Sequence, residues 1–375
     1  MIKKEAIKKS VFISDEQINA PTEGSIYGRF YKESGIFNIF PSELQNKGDL
    51  LGKILPLGST PSRSKLCGVI AKNGIDFYSF GKKIDTEVYS LYQNIFSRNT
   101  GILESDVMST KKAVLMGCGS VGSLVALELA RAGVGHFILV DADILEYHNI
   151  CRHQCGIEDV GDLKVHALKR KILNINPRAE VVTFEGIAQN LPKDTLDAFC
   201  VAGDTIFVGG ADNRAADVYT NRISIYYGAS FISIGFWERA FAGEIFYHIV
   251  GKGMPCYECA LGDGSSLSAR AEANHHIYSN QEEVEGLKFE PGISVDITFA
   301  TSIGIKLILD MLNVGNESYI PRLLNNLTQY TLVSNTSDPK IGGTMVEIFS
   351  YPLQVTTSLR VGFAKTCGDK CKYER

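Results

Sequence analysis

The chain has 375 residues, room for a large core domain and a smaller one, and its 45% hydrophobic and 21% charged content is ordinary for a soluble globular protein. A formal net charge of only −4 argues against non-specific nucleic-acid binding. No apolar run reaches the ~18–20 residues of a membrane span, and Met1-Ile2-Lys3-Lys4-Glu5-Ala6 lacks the apolar core of a signal peptide, so a cytoplasmic protein with no membrane partner is expected. Nine cysteines, an odd number, do not suggest a disulfide framework; four of them form two close pairs, which points to metal in a reducing compartment.

In residues 1–85, short apolar or aromatic runs (Ser25-Ile26-Tyr27, residues 35–40, 66–70 and 76–80) alternate with Gly, Pro and Ser turns. They predict a small β-rich N-terminal domain without a chemical motif. From Asp85 to Arg98, the spacing of Val88, Leu91, Tyr92 and Ile95 predicts a helix. Strand 113–116 then leads through a Gly loop into a helix over about 121–132, stopped by Gly133. Further strands are expected at 137–140, 181–184, before Gly209-Gly210, at 230–234 and at 244–250. Helices are expected at about 165–175, 214–227 and 295–312, and residues 260–292 read as a polar crossover segment. This alternation implies a doubly wound α/β domain over residues 86–375.

The chemistry is concentrated between Gly117 and Asn213. Gly117, Gly119 and Gly122 form G-x-G-x-x-G after a strand, a tight turn that brings backbone N–H groups and a helix N-terminus to a phosphate. Asp141 ends the next strand, where a carboxylate can accept ribose hydroxyls. These features alone also fit an NAD-type site, or glycines that merely pack helix against strand. Arg152 and Lys164 shift the balance toward a triphosphate, since arginine binds phosphate oxygens in bidentate fashion and lysine places a point charge beside them. Asn149 and Asp212 complete the pattern.

The segment from about Arg98 to Cys259 resembles the ThiF/MoeB-type adenylating enzymes, which share their core with ubiquitin-activating enzymes. The resemblance rests on G-x-G-x-x-G, then D-x-D-x-x-x-x-x-N-x-x-R, V-G-x-x-K and x-D-N in that order. It implies a Rossmann-like domain that binds Mg·ATP and adenylates a C-terminal carboxylate, releasing pyrophosphate. The implied substrate is a ubiquitin-like or sulfur-carrier protein, or alternatively a precursor peptide of antibiotic biosynthesis. By the same resemblance Asp141 would hold the ribose, Asn149, Arg152 and Lys164 the triphosphate, and Asp212 the Mg²⁺. Phe96-Ser97-Arg98-Asn99 is similar to the family's N-terminal arginine motif, which implies a homodimer with Arg98 reaching the partner subunit's ATP site.

Cys256 and Cys259 form C-x-x-C, a zinc half-site, and Cys367 with Cys371 supplies a second half as C-x-x-x-C, where the family usually has C-x-x-C. Four thiolates around a structural Zn²⁺ would tie the tail at 367–371 to the sheet; a reduced cysteine pair without metal is the other reading. Many relatives carry an acceptor cysteine in the crossover, and this sequence has no cysteine between Cys259 and Cys367. Cys118 and Cys200 read as packing residues. Cys151 and Cys155 flank Arg152, whose positive field could lower a thiol pKa. His275-His276 reads as a surface pair, and His153 as a residue that orients the phosphate loop.

Overall fold

The computed structural model describes residues 8–91, 93–211, 214–237, 240–261, 292–335, 355–356, 361–364 and Cys367. Asp212, Asn213, Cys371, the His275-His276 pair and most of the 260–292 segment lie outside the described residues. Two compact units are present: Met1–Thr100 with Leu173–Arg178, and Gly101–Ile172 with Ala179–Arg375.

The first unit is one mixed sheet that closes on itself. Its strands are β1 (Ser10–Ser14), β2 (Gly24–Tyr31), β3 (Ile36–Ile39), β4 (Asp49–Leu55), β5 (Leu66–Ala71), β6 (Gly74–Ser79), β7 (Lys82–Lys83) and β8 (Asp85–Tyr89), in the order 7-6-5-4-2-3-1-8. The two ends of that order, β7 and β8, are separated in sequence only by Ile84. A single bent strand therefore pairs with β6 on one side and with β1 on the other. Closure leaves no long edge unpaired, and it gathers Val11, Ile13, Phe37, Leu66 and Phe77 into one buried core.

The helix expected over 85–98 is not formed. Asp85–Tyr89 is strand β8, in parallel register with Ser10–Ser14, and turns follow at Leu91 and over 93–101. Val88 and Ile95 are exposed, whereas Leu91 and Phe96 are buried, so the apolar spacing does not mark one helical face. The open side of β1 offers Thr86 and Val88 a ladder of hydrogen bonds, and that pairing overrides the local periodicity.

In the second unit, β9 (Lys112–Met116), β10 (His136–Asp141), β11 (Glu180–Glu185), β12 (Thr205–Gly209) and β13 (Ser230–Phe236) are parallel, in the order 11-10-9-12-13. Antiparallel β14 (Ala242–His248), β15 (Tyr330–Ser334) and β16 (Val355–Thr356) extend the sheet from β13. The parallel strands read as near-continuous apolar runs because helices cover them: Ala113–Met116, Phe137–Leu139, Ile206 and Phe207 are fully buried. The helices of this unit that bear on the site are α3 (Ser120–Arg131), α4 (Lys164–Ile175), α6 (Arg214–Tyr226) and α8 (Ser294–Leu312), with α1 (Asp15–Asn19), α2 (Ser105–Thr110), α5 (Lys193–Phe199) and α7 (Tyr257–Ala260) the shorter ones of the chain. The strand order reverses at β9, between β10 and β12, so a crevice opens beyond the carboxyl ends of β9 and β12. The longer elements of this unit match those expected from the sequence; α2, α5, α7, β15 and β16 were not anticipated, being short or following the crossover.

Candidate active site

The crevice holds a cavity of about 530 Å³. Gly117, Gly119, Asp141, Asn149, Arg152 and Lys164 line its polar side, and Ile187, Phe236, Trp237 and Ile297 its apolar side. Six of the residues singled out by sequence thus share one cavity. Gly122 lies beneath it, Asp212 is outside the described residues, and Arg98 sits on an exposed turn of the first unit.

The three loop glycines answer to different constraints. Gly117 has φ +104°, and a Cβ there would stand 2.8 Å from Ala211 N. A Cβ on Gly122 would fall 1.9 Å from the Gly117 carbonyl oxygen, so the start of α3 can approach the loop only without a side chain. Gly119 is neither: its φ is −75°, and a Cβ would meet nothing within 4 Å. The chain itself gives no reason for glycine at 119. The space in front of it faces the cavity and the N-terminus of α3, where unpaired N–H groups and the helix dipole favour an anion.

Asp141 fixes the loop. Its Oδ2 accepts from Cys118 N–H at 2.7 Å and its Oδ1 from Asp143 N–H at 2.9 Å. Each oxygen keeps a lone pair for a ligand hydroxyl. Lys164 is 12% exposed, and its Nζ donates to Asp143 Oδ2 at 2.7 Å. The two loops that carry this pair are zipped together, with Lys164 N–H donating to Asp143 O at 3.0 Å and Leu145 N–H to Asp162 O at 2.8 Å. Arg170 bonds both Asp159 and Asp162, and Lys171 bonds Asp159 and Glu158, which holds the loop before Lys164 against α4. Asp143 was part of the sequence pattern but had no assigned role; its pairing with Lys164 depends on the fold.

Asn149 closes a short turn over Tyr147–Asn149: its Oδ1 accepts from Glu146 N–H at 2.9 Å, leaving its Nδ2 amide as a donor. Its carbonyl accepts from both Arg152 N–H and His153 N–H. His153 is buried and connects this turn to the glycine loop. Its Nδ1 accepts from Cys155 N–H at 3.0 Å, so Nε2 carries the proton and donates to Cys118 O at 2.7 Å. Burial pulls its pKa below the usual histidine value, which keeps the ring in that neutral form.

The positive field of Arg152 does not activate Cys155. It is 3% exposed and burial pushes its pKa up to about 12, so the thiol stays protonated. Cys118 is fully buried and raised well above the ordinary thiol value by the same cause, with Asp141 adding to it. Cys151 is exposed, its Sγ 3.3 Å from His148 O.

Behind the apolar wall, Glu244 is 3% exposed. It accepts from Trp237 Nε1 at 3.3 Å and from Tyr330 OH at 3.2 Å, and it faces Arg214 at 3.6 Å. This network joins β14, β15 and the start of α6. No sequence pattern announces it, because its members are far apart in the chain and none belongs to a local motif.

Cys256, Cys259 and Cys367 are buried together, with sulfur atoms all within 4.8 Å of one another. The Cys256 and Cys259 sulfurs are 3.7 Å apart. A Zn–S bond of about 2.3 Å separates tetrahedral sulfurs by roughly 3.8 Å, so the three thiols fit a zinc ion.

The chain is 37% identical over 94 residues to the tRNA threonylcarbamoyladenosine dehydratase of Bacillus subtilis (strain 168), covering 24% of this chain and 37% of that protein. It is 30% identical over 221 residues to ubiquitin-like modifier-activating enzyme 5 of Bombyx mori, covering 52% of each. The matches thus span about a third to a half of the length of these curated relatives. Among solved structures, the microcin C7 biosynthetic enzyme MccB in complex with N-formylated MccA superposes with a TM-score of 0.50 at 20% identity, over 75% of this chain and 77% of that one, a likeness of fold. The ThiF family profile matches residues 93–342, well over half of the sequence, and the chain belongs to the ThiF family.

Proposed function

We propose that this chain binds Mg·ATP in the crevice beyond β9 and β12 and adenylates the C-terminal carboxylate of a ubiquitin-like or sulfur-carrier protein. The observation that carries the reading is the convergence of Asp141, Asn149, Arg152 and Lys164 on the one cavity that Gly119 leaves open. An oxygen of the acceptor carboxylate attacks the α-phosphorus, the bond from that phosphorus to the bridging oxygen breaks, and pyrophosphate leaves. No general base is required, because a carboxylate is already ionised at neutral pH. Rate acceleration then comes from positioning and from neutralising phosphate charge.

On this reading Asp141 accepts from the ribose hydroxyls, while the Asn149 amide and the Arg152 guanidinium donate to phosphate oxygens. Lys164, held over the cavity by Asp143, exchanges that carboxylate for a phosphate when the nucleotide enters. Asp212 would hold Mg²⁺, which shields phosphate charge when bound. Arg98 of a second copy would reach the same phosphates in a homodimer, and four cysteines, including Cys371, would hold a structural Zn²⁺. The second reading keeps the chemistry and replaces the carrier protein by a ribosomally made precursor peptide; the fold shared with the MccB–MccA complex favours testing it.

ATP–pyrophosphate exchange driven by candidate carrier proteins and C-terminal peptides tests the assignment. Lys164→Ala and Asp212→Ala are expected to abolish exchange in a protein that remains folded by circular dichroism. Exchange within a few-fold of the parent in either variant would refute adenylation at this site, and the substrate that drives exchange separates the two readings.

A further inference from the structure

The closed sheet of the first unit carries a feature that the adenylation reading leaves unused. β6 and β7 are joined by the two-residue turn Phe80-Gly81, with Ser79 paired to Lys82 across it. Both turn residues have positive φ, +51° at Phe80 and +79° at Gly81, the geometry that Asn-Gly serves best. A bulky residue in the left-handed region is strained, and burial does not compensate here, because Phe80 is 60% exposed.

Cations surround this ring. Lys9 Nζ lies 4.6 Å from the Phe80 ring centre and donates to Ser79 Oγ at 3.1 Å. Lys65 Nζ lies 4.5 Å over Phe30, a second aromatic that is anchored by stacking on the core residue Phe37. The Arg63 side chain runs beside Gly81, and exposed Lys82 follows the turn. None of Lys9, Arg63, Lys65 and Lys82 has a carboxylate partner among the described residues, whereas their neighbours Lys8 and Lys83 pair with Asp85 and Asp76. The patch therefore combines an uncovered apolar ring, kept at a conformational cost, with four uncompensated positive charges in a chain of net charge −4.

We propose that the Phe80 turn and its four cations form a docking patch for an acidic polypeptide segment that also presents an apolar side chain. The apolar group would cover Phe80, and the carboxylates would pair with Lys9, Arg63, Lys65 and Lys82. A polypeptide suits the patch better than a nucleic acid. The positive area is local and bordered by Asp76 and Asp85, so an extended phosphate backbone would run past carboxylates.

The test uses the full chain and a fluorescein-labelled short peptide of alternating glutamate and leucine, read by fluorescence anisotropy at two salt concentrations. A lysine–leucine peptide and an oligothymidylate serve as the comparison probes. The parent protein should bind the acidic peptide, more weakly at higher salt. Phe80→Asn creates the favoured turn sequence, so its Tm should hold or rise while its affinity for the peptide falls roughly tenfold. Lys65→Glu with Arg63→Glu, both on the surface, should weaken binding at least as much without changing Tm. Three results would each overturn the proposal: no binding of the acidic peptide, equal binding by the charge-reversed protein, or tighter binding of the oligothymidylate than of the peptide.

Discussion

Gly119 and Gly122 lie in one turn of the same loop, yet alanine at the two positions should act on different quantities. At Gly122 the new Cβ would stand 1.9 Å from the Gly117 carbonyl oxygen, so α3 or the loop must retreat by more than 1 Å, roughly, to reach a normal contact. Forcing a well-packed backbone apart in this way costs about 1–3 kcal/mol. Gly122→Ala should therefore lower Tm and reduce soluble yield, with nucleotide binding lost as a consequence. At Gly119 the Cβ meets nothing within 4 Å and φ is already −75°. The folding cost is then near zero, offset further by up to about 1 kcal/mol from the lower entropy of the unfolded chain. The methyl would instead occupy the space that a phosphate uses to reach the N-terminus of α3. Loss of that approach should weaken ATP binding by tenfold or more, roughly 1.4 kcal/mol per decade. Calorimetric titration with ATP and thermal unfolding, measured on both variants, separate the effects. A folded Gly119→Ala protein that binds ATP as the parent does would show that the open space is not the phosphate site.

Three further outcomes follow from other parts of the molecule. Purified without chelator, the protein should contain about one zinc per chain, and Cys367→Ser should lose the metal and lower Tm; metal analysis that finds no zinc in the parent rules the site out. If Arg98 acts across a homodimer, subunit-exchanged mixtures of Arg98→Ala and Asp212→Ala should recover part of the exchange activity that each lacks alone, and no recovery argues against action in trans. His248 is 1% exposed, and burial lowers its pKa to about 4. Between about pH 6.5 and 4 the unfolded chain takes up a proton that the folded chain refuses, so stability is intact above that window and falls by about 3 kcal/mol across it. His248→Leu should remove that part of the slope in urea unfolding, and parallel curves for the two proteins would contradict the burial argument.

The sequence made the second unit legible because its determinants are local. The buried parallel strands are apolar runs, Gly133 ends α3 where it was expected to, and G-x-G-x-x-G, Asp141, Asn149, Arg152 and Lys164 sit on loops or at element ends whose places follow from the strand order. The first unit was harder. Its individual strands could be anticipated at 25–27, 35–40, 66–70 and 76–80, but closure depends on the pairing of β8 with β1, more than 70 residues apart. Val88, Leu91 and Ile95 suit a helix as well as a strand followed by turns, and only the partner strand decides. The state of Cys155 was illegible for a related reason. Its nearness to Arg152 in sequence suggested a positive field, whereas its pKa is governed by burial, which local sequence does not report.

The distribution of thiols bears on where an activated carboxyl could go. On the adenylation reading, a thioester route requires a thiolate that can reach the α-phosphate side of the cavity. Cys118 and Cys155 are buried and held protonated, the first behind the backbone of the glycine loop and the second packed against Leu145 and Ala167. Cys256, Cys259 and Cys367 are drawn together in a metal-binding geometry, which would commit their sulfurs to an ion. The sequence offers no cysteine between Cys259 and Cys367. Cys200 is likewise raised to about 12 by burial. Among the described cysteines only Cys151 is exposed, and its Sγ lies 3.3 Å from the His148 carbonyl oxygen. The arrangement thus favours an adenylate that passes its acyl group directly to a nucleophile from outside the chain. In such a scheme the protein's contribution ends at activation, and the identity of the product is set by what next enters the crevice.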